Sequence, residues 1–217
     1  MNNLLSLHHI TRPAKNNSEK APLLLLLHGY GSNEEDLFSF AAELPQEYFI
    51  VSARAPFDLQ PSGHSWYDIY FTETEKVSNT EEAIVSRDTI VKFIDELIAT
   101  YPIDGDQVNL LGFSQGTILS YAVALSYPEK IKNVVALSGY INEDMLTDGY
   151  AKKDHNHLDF YISHGNVDQV IPSFMAKKAP EFLSTLNIKN SYQEFPVGHG
   201  VAPQNFYEFK EWLEKKL

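Results

Sequence analysis

Gly112-Phe113-Ser114-Gln115-Gly116 sets a serine between two glycines, each two residues away. A serine hydroxyl attacks a carbonyl carbon only when a base takes its proton and donors meet the oxyanion that forms. A tight strand-to-helix turn prepares such a serine. It projects Oγ from the sheet edge, and the N–H groups of the new helix favour negative charge there. The turn crowds the positions two residues either side, so both must be small. The flanking residues fit. The apolar run Val108–Leu111 leads in, and Ile118, Leu119, Ala122 and Leu125 mark an amphipathic helix over 115–127.

The base and its orienting acid are sought further along the chain. His155, His157, His164 and His199 follow Ser114. His199 stands between Gly198 and Gly200, in the loop between an expected strand at 191–195 and the last helix, which suits a general base at the sheet edge. Asp168 follows the expected strand 159–163 and the turn Ser163-His164-Gly165-Asn166. A carboxylate there would hold the imidazole in one tautomer and stabilise the imidazolium. Asp159 begins its strand and so falls at the opposite edge. His155 and His157, in Lys-Lys-Asp-His-Asn-His, read as solvated loop. His164 reads as a residue that packs or hydrogen-bonds beneath the site.

For the oxyanion, His28-Gly29-Tyr30-Gly31 follows the apolar run Leu23–Leu27. The N–H of Tyr30 and that of Gln115, just past the serine, are the candidate donors. His28 itself reads as a structural hydrogen-bonding residue.

These residues need a scaffold that brings them to one edge. Apolar runs at 23–27, 48–52, 108–112, 134–137, 159–163 and 191–195 lack clean alternation, as strands covered on both faces do. Between them lie amphipathic segments at 81–100, 115–127 and 203–217, the first preceded by Ser78 and Glu81 at capping-box spacing. Strand and helix in alternation predict an α/β fold with a mostly parallel sheet and helices on both faces. A short N-terminal strand and a polar loop at 12–21 come first. The stretch 55–79, with Pro56, Pro61, Gly63, Trp66, Tyr67 and Tyr70, fits neither pattern and reads as a functional loop.

At 217 residues the chain is expected to form a single domain over 1–217 around one core. A net charge of −12 argues against nucleic acid and anionic lipid as partners. With no cysteine, disulfides, thiolate metal sites and a cysteine nucleophile are excluded. No basic segment precedes Leu4, Leu5 and Leu7, and the run Leu23–Leu27 is too short to span a bilayer. A cytoplasmic protein without stable membrane insertion is the expectation.

The ordered set His28-Gly29-Tyr30-Gly31, Ser65-Trp66-Tyr67-Asp68, Gly112-x-Ser114-x-Gly116, His164-Gly165 with Asp168, and Gly198-His199-Gly200 resembles the phospholipase/carboxylesterase family of α/β-hydrolases, which includes the acyl-protein thioesterases. The resemblance runs from about residue 20 to the end. It implies a triad of Ser114, Asp168 and His199, oxyanion amides at Tyr30 and Gln115, and an acyl pocket lined by Trp66 and Tyr67 within the 55–79 loop. Plain core packing is the other reading of those two aromatics. Thr117 stands where the family usually has Gly or Ala, and Tyr67 where Phe is common. The implied activity is hydrolysis of carboxylic esters with a short- to medium-chain acyl group, with no cofactor and no metal. A lysophospholipase, an acyl-protein thioesterase, and a non-catalytic binding protein on the same scaffold remain alternatives. A homodimer is suggested by analogy alone.

Overall fold

The computed structural model describes residues 5–15, 19–71 and 76–217. The strands are β1 (His9–Arg12), β2 (Ala21–Leu27), β3 (Phe49–Ala53), β4 (Phe57–Asp58), β5 (His64–Ser65), β6 (Ile69–Phe71), β7 (Lys76–Ser78), β8 (Ile103–Phe113), β9 (Asn133–Leu137), β10 (Asp159–Gly165) and β11 (Lys189–Phe195). The helices are α1 (Glu35–Phe38), α2 (Thr80–Thr100), α3 (Gln115–Ser126), α4 (Ser173–Ala176), α5 (Ala179–Thr185) and α6 (Pro203–Glu214).

Seven strands form the main sheet in the order β1-β3-β2-β8-β9-β10-β11. Only β1 runs antiparallel, against β3; the other pairs are parallel. The leucines of β2 show why the alternation signal is absent there. Leu23, Leu25 and Leu27 pack with Ile90, Phe93 and Leu97 of α2 and Leu119 of α3, while Leu24 and Leu26 pack with Leu37 of α1 and Phe206 and Phe209 of α6. With helices on both faces, each leucine is fully buried. Truncating one to Ala would cost about 2–5 kcal/mol. Trp212 packs against Tyr161 of β10, so that side of α6 covers the sheet.

Three expectations are corrected. The cap of α2 is Asn79, whose side chain accepts from the Glu82 N–H at 3.3 Å, not the pair Ser78 and Glu81. Ser78 ends β7 and turns to a cleft instead. His155 is buried, its Nε2 3.0 Å from the Leu125 carbonyl, because the loop carrying it folds against the end of α3. The 55–79 stretch is two short hairpins, β4 with β5 and β6 with β7, rather than one open loop; its residues 72–75 lie outside the described ones. Among the described residues no helix is long and apolar enough to cross a membrane.

Candidate active site

The parallel strands end on one edge, where loops of an open α/β sheet commonly form sites. β8 delivers Ser114 to that edge. Its backbone adopts φ 54° and ψ −116°, a conformation a non-glycine residue rarely holds. The turn is tight enough that a β-carbon on Gly116 would overlap the Leu27 carbonyl of β2. Thr117 adds a tie from inside. Its hydroxyl lies 2.6 Å from the carbonyls of both Gly112 and Leu137 and accepts from the Leu137 N–H at 3.0 Å. It therefore joins the tips of β8 and β9 under the serine.

His199 and Asp168 arrive from the neighbouring strand ends. His199 Nε2 lies 2.9 Å from Ser114 Oγ, and its Nδ1 lies 2.7 Å from Asp168 Oδ2. The imidazole packs against Phe113, with ring centroids 5.0 Å apart. Asp168 Oδ1 accepts from the N–H groups of Val170 (2.8 Å) and Ile171 (2.9 Å), which aims Oδ2 at the histidine. Burial opposes ionisation of this carboxyl, but the hydrogen bonds from His199, Ile171 and Val170 outweigh it and hold the pKa below the usual carboxylate value. His164 does hydrogen-bond beneath the site: its Nε2 is 2.8 Å from the Ile171 carbonyl and 3.3 Å from Asp168 Oδ2. Asp159 sits at the far end of β10, paired with Lys189 and Lys216.

The glycine turn after β2 lies on the other side of the serine. Neither the Tyr30 N–H nor the Gln115 N–H has an acceptor among the described residues, so both are open donors. His28 is wholly buried and structural. Its Nδ1 meets the Gly29 carbonyl at 2.8 Å and its Nε2 accepts from the Ala55 N–H at 3.1 Å. Desolvation lowers its pKa, which keeps the ring neutral and suits that pair of bonds. The turn is braced at its far end by Glu34, which pairs with Arg54. The Arg54 Nε–Glu34 Oε2 distance is 2.6 Å, and the Glu34 carboxyl is held down to about 2, chiefly by that bond.

A cleft of about 440 Å³ opens at Ser114 and His199. Tyr67 lines it but Trp66 does not. The Trp66 indole N–H donates to the His28 carbonyl at 2.9 Å and its ring stands 5.6 Å from the His28 ring, so it is core rather than pocket wall. The chain bends at these two adjacent residues, and only one of them faces the cleft. Gln115 fixes which one: its side chain accepts from the Trp66 N–H at 2.8 Å and donates to the Tyr67 carbonyl at 2.7 Å. Ile69, Ser78, Ile118, Tyr140 and Met175 complete much of the wall, and none of them was expected there from the sequence. Tyr140 alone carried a signal, since it follows the C-terminal end of β9 at the same sheet edge. A larger groove of about 750 Å³ lies beside the cleft and shares Tyr140 and Met175 with it, but it does not reach Ser114. Among the described residues no group of His, Asp and Glu converges as a metal site would.

The match to known proteins covers nearly all of this architecture, since residues 9–217 fit the phospholipase/carboxylesterase family. The chain belongs to that family. Its fold is the α/β-hydrolase fold and it is a hydrolase of the esterase and thioesterase group. It is 28% identical to acyl-protein thioesterase 1 of Candida albicans over 214 residues, covering 91% of each chain. It is 26% identical to acyl-protein thioesterase 1 of Debaryomyces hansenii over 155 residues, covering 70% of this chain and 67% of that one. In structure it resembles the Bacillus cereus carboxylesterase, with a TM-score of 0.84 at 22% identity, covering 97% of this chain and 95% of that one.

Proposed function

We propose that this phospholipase/carboxylesterase member hydrolyses carboxylic esters of short- to medium-chain acids through an acyl-enzyme on Ser114. One observation carries the reading: the continuous contact Ser114 Oγ–His199 Nε2 at 2.9 Å and His199 Nδ1–Asp168 Oδ2 at 2.7 Å. In this reading Ser114 attacks the ester carbonyl as His199 takes its proton. Asp168, kept ionised, fixes the imidazole tautomer and stabilises the imidazolium. The oxyanion lies against the N–H groups of Tyr30 and Gln115. His199 then protonates the leaving alcohol, and a water that it activates cleaves the acyl-enzyme. The cleft of about 440 Å³ is at the small end for ligand sites, which favours shorter acyl groups.

The names of the Candida and Debaryomyces relatives favour a second reading, in which the leaving group is a thiol. The same groups serve it, since a thiolate leaves more easily than an alkoxide. Matched butyryl ester and thioester substrates separate the two by kcat/KM.

Hydrolysis of p-nitrophenyl acetate and butyrate tests the reading. Ser114→Ala is expected to lower kcat by ~10⁴–10⁶ while leaving the fold intact. A mutant that hydrolyses as fast as the parent overturns the assignment.

A further inference from the structure

The cleft wall is not uniformly apolar. Tyr67 is almost wholly buried, at 1% exposure, yet it lines the cleft. Burial, then the neighbouring Tyr140 phenol, raises its pKa, so it remains an O–H donor at any working pH. Burial does the same for Tyr140. Ser78 interacts with the hydroxyls of both tyrosines and lies in the same wall. The Gln115 carboxamide also reaches the Tyr67 hydroxyl, and it acts there as a donor, since it favours the phenolate and lowers the pKa.

These partners leave a donor over. Tyr67, Ser78 and Tyr140 bring one O–H proton each, and the pairings among them are Tyr67 with Ser78 and Tyr140 with Ser78. At least one O–H is therefore left without a partner within the cluster, and all three residues line the cleft. No Lys, Arg, Asp or Glu is among the residues lining this cleft, and Ile69 and Ile118 line it alongside the three hydroxyl-bearing residues. A plain alkyl chain seated there would strand a buried donor, whereas a neutral oxygen would satisfy it.

We propose that the hydroxyl cluster of Tyr67, Ser78 and Tyr140 selects ester substrates that carry a second, uncharged oxygen (hydroxyl, keto or ether) a few bonds from the reacting carbonyl. The proposal rests on the ester-hydrolase reading and narrows its substrate class. The oxygen can belong to the acyl or the alcohol half, and the test separates these.

The test measures kcat/KM by pH-stat titration for two matched pairs: ethyl 3-hydroxybutyrate against ethyl butyrate, and 2-hydroxyethyl butyrate against propyl butyrate. The oxygenated member of one pair is expected to be favoured about 3- to 10-fold, the worth of one neutral hydrogen bond. The ratio, not the absolute rate, is the readout. It should fall towards one in Tyr67→Phe or Tyr140→Phe, each of which removes a hydroxyl and leaves the ring. Parity in both pairs for the unmodified protein overturns the proposal, as does a preference that survives both substitutions. Hydrolysis of p-nitrophenyl butyrate but of none of the four esters overturns the proposal alone; hydrolysis of none of the five sinks the ester-hydrolase reading and the proposal with it.

Discussion

Gly165 packs so closely beneath the carbonyl oxygen of Gly198 that a β-carbon on Gly165 would overlap it. Gly165 ends β10, three residues before Asp168, and Gly198 immediately precedes His199. The contact holds the acid-bearing and histidine-bearing loops at the separation that the 2.7 Å Asp168–His199 bond requires. Gly165→Ala must push the loops apart. A displacement near 1 Å is expected to cost roughly 10²-fold in kcat. Ester kinetics check this, with circular dichroism to show that the fold persists.

Asp168→Asn keeps the shape of the side chain and an oxygen for the Val170 and Ile171 N–H groups. It removes the charge and allows the wrong imidazole tautomer. The expected outcome is a fall in kcat of ~10⁴ with a near-native melting temperature. A loss under tenfold would place the acid elsewhere.

Thr117→Val exchanges the hydroxyl for a methyl of similar size. The Leu137 N–H and the Gly112 carbonyl then lose a buried partner. The expected loss is about 1–3 kcal/mol in urea unfolding. Thr117→Ser, which keeps the oxygen, should lose less.

The Glu34–Arg54 pair makes a prediction in pH. The carboxyl is depressed from 4.5 to about 2, so the pair contributes its full stability above about pH 4.5 and loses it as pH falls towards 2. The Arg54 side chain is 35% exposed, so solvent screening reduces the effect. Arg54→Met is expected to cost about 1–2 kcal/mol at pH 7 and much less near pH 2.5. Melting curves at the two pH values read the difference.

How much of this was legible depended on whether backbone pattern or side-chain direction decided the matter. The α/β order followed from apolar runs such as Leu23–Leu27, and the observed strand extends that run by two residues at its start. Ser114, Asp168 and His199 meet because each follows a strand end, which the sequence places on one edge. Trp66 and Tyr67 show the limit. Which of two neighbours faces the cleft is set by the Gln115 side chain, 48 residues from Tyr67 in sequence. The burial of His155 has the same origin, since its surroundings are polar in sequence but its partner is the distant Leu125 carbonyl.

The sheet also has one edge that carries the cleft and one that lies away from it. Asp106, exposed in the irregular part of β8 where Asp104 faces Pro22 and Val108 faces Leu23, precedes the regular stretch Val108 to Phe113, so ~17 Å of strand separates it from the turn that carries Ser114. Because the chain contains no cysteine, Asp106→Cys would give it one addressable thiol. A dye, bead or electrode coupled there would leave the cleft facing solvent, so every immobilised molecule would present the same side outward.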